Sequence, residues 1–166
     1  MNSVYLLLGG NIGDVLASFA KAKEQIADHT GTIKAESTVY CTEPWGINSN
    51  NMFLNQAILV ETKLSPKQLL SSIQAIELKM GRNRKKGIVE SRIIDIDILF
   101  YNKLAFKNKD IEIPHPRMHL RRFALVPMTE LNPDLIHPVF DKTIHQLLEE
   151  CNDELAVFKI EKITNS

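Results

Sequence analysis

Residues 91–102 read SRIIDIDILFYN, and how this stretch is read decides the fold. Its isoleucines, leucine and aromatics mark a buried strand. Strand side chains alternate between faces, so Ile94, Ile96 and Ile98 point one way while Asp95 and Asp97 point the other. Two carboxylates facing one spot beside an apolar flank repel each other unless one is protonated or a cation lies between them. Hard oxygen ligands suit Mg2+, which typically takes one or two carboxylates plus phosphate oxygens. Taken alone, a D-x-D pair is more often a solvated strand face.

Working outward, Arg82, Arg84, Lys85, Lys86 and Arg92 form a basic loop that leads straight into the acidic strand. Cations beside a carboxylate pair are what a polyphosphate requires, since the metal bridges some phosphate oxygens and Arg forks neutralise others. Upstream, Ser65 and Pro66 open a helix with an apolar stripe at Leu69, Ile73, Ile76 and Met80, closed by Gly81. Gln74 and Glu77, three apart, are expected on a different face of that helix. Before it, strands are expected at residues 33–40 and 53–62, separated by the long irregular loop CTEPWGINSNN. The chain opens with a strand at residues 3–8, a break at GGNIGD and a helix capped by Asp14. The order is βαββαβ. With an antiparallel sheet and both helices on one face, that order predicts an α+β, ferredoxin-like core. Residues after 102 form an appendage: a short hairpin, the segment IPHPRMHLRRFALVPMTEL, a helix near 143–151 and a last strand near 155–163.

At 166 residues the chain predicts one domain, residues 1–166, with a single core. An apolar fraction of 44% and a charged fraction of 24% argue against disorder. Twenty basic and twenty acidic residues cancel, so no general attraction to nucleic acid or an anionic membrane exists and local charge decides. Cys41 and Cys151 are too few and too scattered for a disulfide framework or a zinc ribbon, which fits a reducing cytoplasm. The apolar run VYLLL is too short for a signal sequence or a membrane span and reads as a buried strand.

His115 and His119, four apart, would share a helical face as metal ligands. Pro114 and Pro116 bracket His115 and no third ligand has the spacing, so phosphate contact or capping is the better expectation, with Arg117, Arg121 and Arg122 forming a second basic cluster. Phe53 and Asn55 share one side of their strand. A flat heterocycle would stack on the ring while the amide reads its edge, with Trp45 and Phe123 completing the set, although a core Phe beside a loop-fixing Asn is the commoner case. GGNIG lacks the G-x-G-x-x-G form, and a turn between strand and helix explains it.

The combination of GGN after the first strand, YCTEPWG, FLNQA, IELKMGRNR, RIIDIDILFY and IPHPRMHLRRFALVPM resembles the 6-hydroxymethyl-7,8-dihydropterin pyrophosphokinase family of folate biosynthesis, over about residues 1–140 and in one order. The resemblance implies transfer of pyrophosphate from ATP to the hydroxymethyl oxygen of the pterin, with release of AMP. It implies two Mg2+ ions held by Asp95 and Asp97, with Asp97 also helping to remove the hydroxyl proton. Arg82 and Arg92 would contact phosphates in catalysis, with Arg84 in the same loop. Gln74, Glu77, His115 and Arg121 would lie on the ATP side, and Ile98 would wall the adenine. Phe53 and Phe123 would sandwich the pterin, Asn55 would read its edge, and Thr42, Glu43 and Trp45 would complete the pocket. Phe53 stands where some members have Tyr, and VES at 89–91 stands where many have Trp-Gly-Pro in a loop that closes over the substrates. The expected partners are these two small molecules alone, bound by a monomer.

Two other classes compete on the residues. An RNA-binding ferredoxin-like module would need exposed aromatics on a basic sheet face, which Asp95 and Asp97 oppose. A nucleotide-sugar transferase with a D-x-D metal site would release a nucleoside diphosphate instead of AMP.

Overall fold

A computed structural model describes residues 1–42, 52–81 and 93–160. In β1 (Asn2–Gly10) Val4, Leu6 and Leu8 face one way and Tyr5 and Leu7 the other, and all five are buried. A strand apolar on both faces must be covered on both, and this one runs inside the sheet. α1 (Val15–His29) starts at Asp14, whose carboxylate accepts the Ala17 amide at 3.0 Å. β2 (Thr32–Glu36), β3 (Tyr40–Thr42) and β4 (Phe53–Thr62) follow. α2 (Pro66–Lys79) begins with a reciprocal cap: the Gln68 amide donates to Ser65 Oγ at 3.2 Å, and the Ser65 amide to Gln68 Oε1 at 2.9 Å. β5 (Asp95–Tyr101) completes the βαββαβ order, with β2 and β3, both paired to β4, together standing as its second strand.

These strands form an antiparallel sheet ordered β5-β1-β4-β3, with β2 on the far half of β4 and β8 (Val157–Lys159) beyond β3. The expected α+β, ferredoxin-like core is present. On one side, Leu6, Leu8, Ile58 and Ile96 pack with Phe19 and Ile26 of α1 and Leu69 and Ile73 of α2. On the other, Tyr5, Leu7, Ala57 and Phe100 pack against α3 (Arg122–Leu131) and α4 (Ile144–Glu150) through Leu125, Met128, Ile144 and Leu147. The sheet thus lies between two apolar layers.

β5 changes phase once. Leu6 pairs with Ile98 but Tyr5 with Phe100, leaving Leu99 as the extra residue of a bulge. Leu99 and Phe100 both enter the α3 layer, and Tyr101 returns to the α1/α2 layer.

Three expectations change. The first strand does not break at Gly9: both glycines pair in the ladder, and the turn falls later, where Gly13 has φ 70°. The strand expected at 33–40 is two, because Thr38 between them gives its amide and hydroxyl to Glu130 of α3, the hydroxyl at 2.7 Å, instead of to a neighbouring strand. α3 was not read from sequence because Pro127 lies inside it, removing a backbone donor. Its burial outweighs that loss, and the Arg122 amide donates to Asp153 Oδ2 at 3.0 Å.

The appendage hairpin joins β6 (Phe106–Lys107) to β7 (Glu112–Ile113). The last strand is described as far as Lys159, and its expected end at 161–163 lies outside the described residues. Among the described residues no helix is long and apolar enough to cross a membrane.

Candidate active site

The register of β1 lays out the site. Gly9 pairs with Asn55 on one side and Asp95 on the other, and Leu7 pairs with Ala57 and Asp97. Cross-strand partners share a face, so Asp95, Asp97, Asn55 and Phe53 all look toward the α3 layer. Strands lie about 4.8 Å apart, which separates the Asn55 and Asp95 backbones by roughly 10 Å. The carboxylate pair and the amide therefore stand at two ends of one short row with glycine between them. Thr42, buried, pairs with Phe53 and extends the Phe53 end.

α3 and the segment before it close over this face. Phe123 packs on the α3 layer, and the Arg121 guanidinium carbon lies 5.5 Å from the centre of its ring. His115 is tied down by its own amide, which donates to the Leu99 carbonyl at 3.1 Å, and its Nδ1 accepts the Arg117 amide at 3.1 Å. Burial pushes the His115 imidazole down to about 4; Arg121 and Arg117 push the same way, while Asp95 and Glu112 pull it up. The imidazole is thus neutral near pH 7, and with Nδ1 accepting, Nε2 carries the proton and serves as a donor. Arg121, from the same segment, and Asp95, from β5, both sit within electrostatic reach of His115.

Glu77 lies elsewhere than on the face expected for it. Counting from Ile73 it is four residues on, at the margin of the apolar stripe, and only 2% of it is exposed. Its Oε2 accepts the Ile96 amide at 2.9 Å. β5 is the edge strand, so this bond holds the backbone between the two aspartates. Gln74 does not follow it inward and remains exposed. The Ile98 side chain lies in the α1/α2 layer, on the face opposite the carboxylates.

His115 and His119 do not share a helix. His119 belongs to a short 3-10 turn (Met118–Leu120), and its ring packs on Phe140 with centres 4.5 Å apart. Among the described residues no group of three or more His, Cys, Asp and Glu is arranged to hold a metal ion. Two same-face carboxylates remain a suitable donor set for Mg2+, which fills its shell with water and phosphate oxygens. Glu43, Trp45, Arg82, Arg84, Arg92 and the 89–91 departure lie outside the described residues.

Sequence reasoning missed Gly9 and Glu112 as neighbours of the site, whereas Arg117 belongs to the second basic cluster expected beside His115. The signal for Gly9 was present, because the unbroken apolar run of β1 leads up to it without a turn former in between. Nothing local marked Glu112, which reaches His115 from the hairpin.

A family model for 7,8-dihydro-6-hydroxymethylpterin-pyrophosphokinase (HPPK) matches residues 5–133. The chain belongs to this family. It is 35% identical over 150 residues to the 2-amino-4-hydroxy-6-hydroxymethyldihydropteridine pyrophosphokinase of Aquifex aeolicus, covering 90% of this chain and 92% of the relative. For the enzyme of the same name from Porphyromonas gingivalis the identity is 38% over 141 residues, covering 83% and 95%. Among solved structures, the crystal structure of Plasmodium falciparum HPPK-DHPS wild type with SDX-DHP matches with a TM-score of 0.76 at 18% identity. That match covers 90% of this chain and 44% of the other, so the chain spans under half the length of that two-part protein, and the likeness bears on the fold. The row Asp95–Gly9–Asn55 is thus the sheet face of an HPPK-family fold.

Proposed function

We propose that the protein transfers pyrophosphate from ATP to the hydroxymethyl oxygen of 6-hydroxymethyl-7,8-dihydropterin, releasing AMP, as a cytoplasmic monomer in folate biosynthesis. The observation that carries the reading is the juxtaposition, across Gly9, of the Asp95 and Asp97 carboxylates with the Asn55 amide on the face covered by Phe123. One end suits a metal-bound triphosphate and the other a planar heterocycle with a hydrogen-bonding edge.

In this mechanism the pterin ring stacks between Phe53 and Phe123, while Asn55 pairs with its edge and Thr42 closes that end. Asp95 and Asp97 would hold two Mg2+ ions, which would draw charge from the triphosphate oxygens and the β-phosphorus. Neutral His115 donates from Nε2 and Arg121 from its guanidinium to phosphate oxygens. Arg82, Arg84 and Arg92 neutralise the remaining oxygens. The hydroxymethyl oxygen attacks the β-phosphorus, the bond from the β-phosphorus to the α-phosphate oxygen breaks, and the hydroxyl proton passes to Asp97. The family's reaction is thereby reduced to positioning and charge stabilisation, with no covalent enzyme intermediate. Glu77 acts through β5, setting where the two carboxylates stand.

The deciding experiment mixes the protein with ATP, Mg2+ and the pterin and resolves AMP from ADP. AMP formed only in the presence of both Mg2+ and pterin is the expected result. ADP, or no pterin-dependent turnover, would refute the proposal.

A further inference from the structure

Gly9 stands inside a regular ladder, between Asn55 and Asp95. Among the described glycines only Gly13 and Gly81 have positive φ, so the backbone at residue 9 makes no demand that alanine could not meet. Glycine inside a strand weakens it, and its presence marks a place where something else needs the room. Here the occupant is visible. A Cβ at residue 9 would lie 2.9 Å from Asn55 Oδ1, with the next atom, the Leu54 carbonyl oxygen, at 3.8 Å. The Asn55 amide therefore occupies the volume in which a side chain at residue 9 would stand.

Gly31 shows what a structural glycine looks like in this fold. A Cβ there would lie 2.2 Å from the Glu61 carbonyl oxygen, which is backbone and cannot yield without moving β4. At residue 9 the obstacle is the far end of one side chain. It can rotate away while the ladder stays intact, so the cost of adding a Cβ falls on where the amide points and not on whether the chain folds.

We propose that Gly9 is a specificity-determining residue for the pterin: its missing side chain lets the Asn55 amide lie over β1 toward Asp95, in the position from which it reads the edge of the ring. This rests on the pterin pyrophosphokinase reading and adds a residue to it. The position lies between the two substrate ends but touches the pterin end only, because the group displaced by a Cβ is Asn55. Binding of the nucleotide, which relies on β5 and on residues 115–121, is left alone.

The test is a double-mutant cycle of Gly9→Ala, Asn55→Ala and the two combined, with affinities for the pterin and for Mg2+-ATP measured by titration calorimetry and folding followed by thermal melting. Gly9→Ala should weaken pterin binding about tenfold or more, the loss of roughly one well-made hydrogen bond. ATP affinity should stay within about twofold and the melting temperature within a few degrees. With Asn55 already alanine, adding the Cβ at residue 9 should change pterin affinity by less than about twofold, since nothing remains to be displaced. Unchanged pterin affinity in Gly9→Ala, a further loss in the double variant, an equal loss for ATP, or failure of Gly9→Ala to fold would each overturn the proposal. A wild-type protein that binds no pterin would overturn the functional reading as well, whereas a wild type and a Gly9→Ala variant that bind it equally would overturn this inference alone.

Discussion

The Glu77 carboxylate of α2 accepts the main-chain amide of Ile96 at 2.9 Å, both buried. Ile96 separates the two aspartates, so a residue on the opposite side of the sheet governs where the acidic pair stands. Glu77→Ala leaves that amide without its partner and should cost about 1–3 kcal/mol of stability. It should also weaken Mg2+-ATP binding more than pterin binding. Glu77→Gln keeps an acceptor of the same reach and should restore most of both. Urea unfolding and calorimetry on the two variants check this, and an alanine variant with native stability and ATP affinity would remove the role.

Asp97→Ala should leave the fold intact, because the side chain is on the half-open face of an edge strand and not in either apolar layer. Turnover should fall by roughly a hundredfold or more, as expected when a charge-organising group is removed. AMP release followed across a Mg2+ titration is the measurement. Near-normal activity would end the two-metal mechanism.

Phe123→Ala removes one face of the stack and should weaken pterin binding by about 1–3 kcal/mol. Because the Arg121 guanidinium lies 5.5 Å from that ring, a smaller loss should appear on the ATP side. Titration with each ligand separately gives the ratio, and equal losses would count against a pterin-specific role.

His137 is 3% exposed, and its Nδ1 accepts the Val139 and Phe140 amides at 3.2 and 3.3 Å. Burial, reinforced by neighbouring His119, pushes its imidazole from 6.5 down to about 4. The folded state then holds fewer protons than the unfolded chain between those values. Stability is full above pH 6.5 and drains as the pH falls toward 4, by at most about 3 kcal/mol from this residue. His115, shifted the same way, adds to the loss in the same window. His137→Asn keeps an acceptor near the two amides and removes the titration, so the slope of unfolding free energy between pH 6.5 and 4 should flatten. An unchanged slope would show that other groups carry the acid sensitivity.

The strand carrying Asp95 and Asp97 was legible in sequence because alternation is a two-residue property of the backbone. The helix starts at Asp14 and Ser65 were legible for a related reason, since a cap involves atoms within three residues of each other. The βαββαβ order followed from those pieces. β2 and β3 read as one strand in the sequence, because what separates them is Glu130, 92 residues from Thr38 along the chain. α3 is not legible locally, because Pro127 contradicts it and only the apolar layer beneath it overrides that penalty.

For the site, sequence by itself determined which residue types were available and which side of the strand bore the acids. Tertiary structure decided the rest. The inward turn of Glu77 depends on an amide of β5, the filling of the space above Gly9 on the position of Asn55, and the neutral state of His115 on its burial among Arg121, Arg117 and Asp95. Each is set by the register of strands distant in sequence, with Gly9 against Asp95 and a bulge at Leu99. Local patterns do not encode register across long loops, because it is chosen by how the two apolar layers pack on the finished sheet.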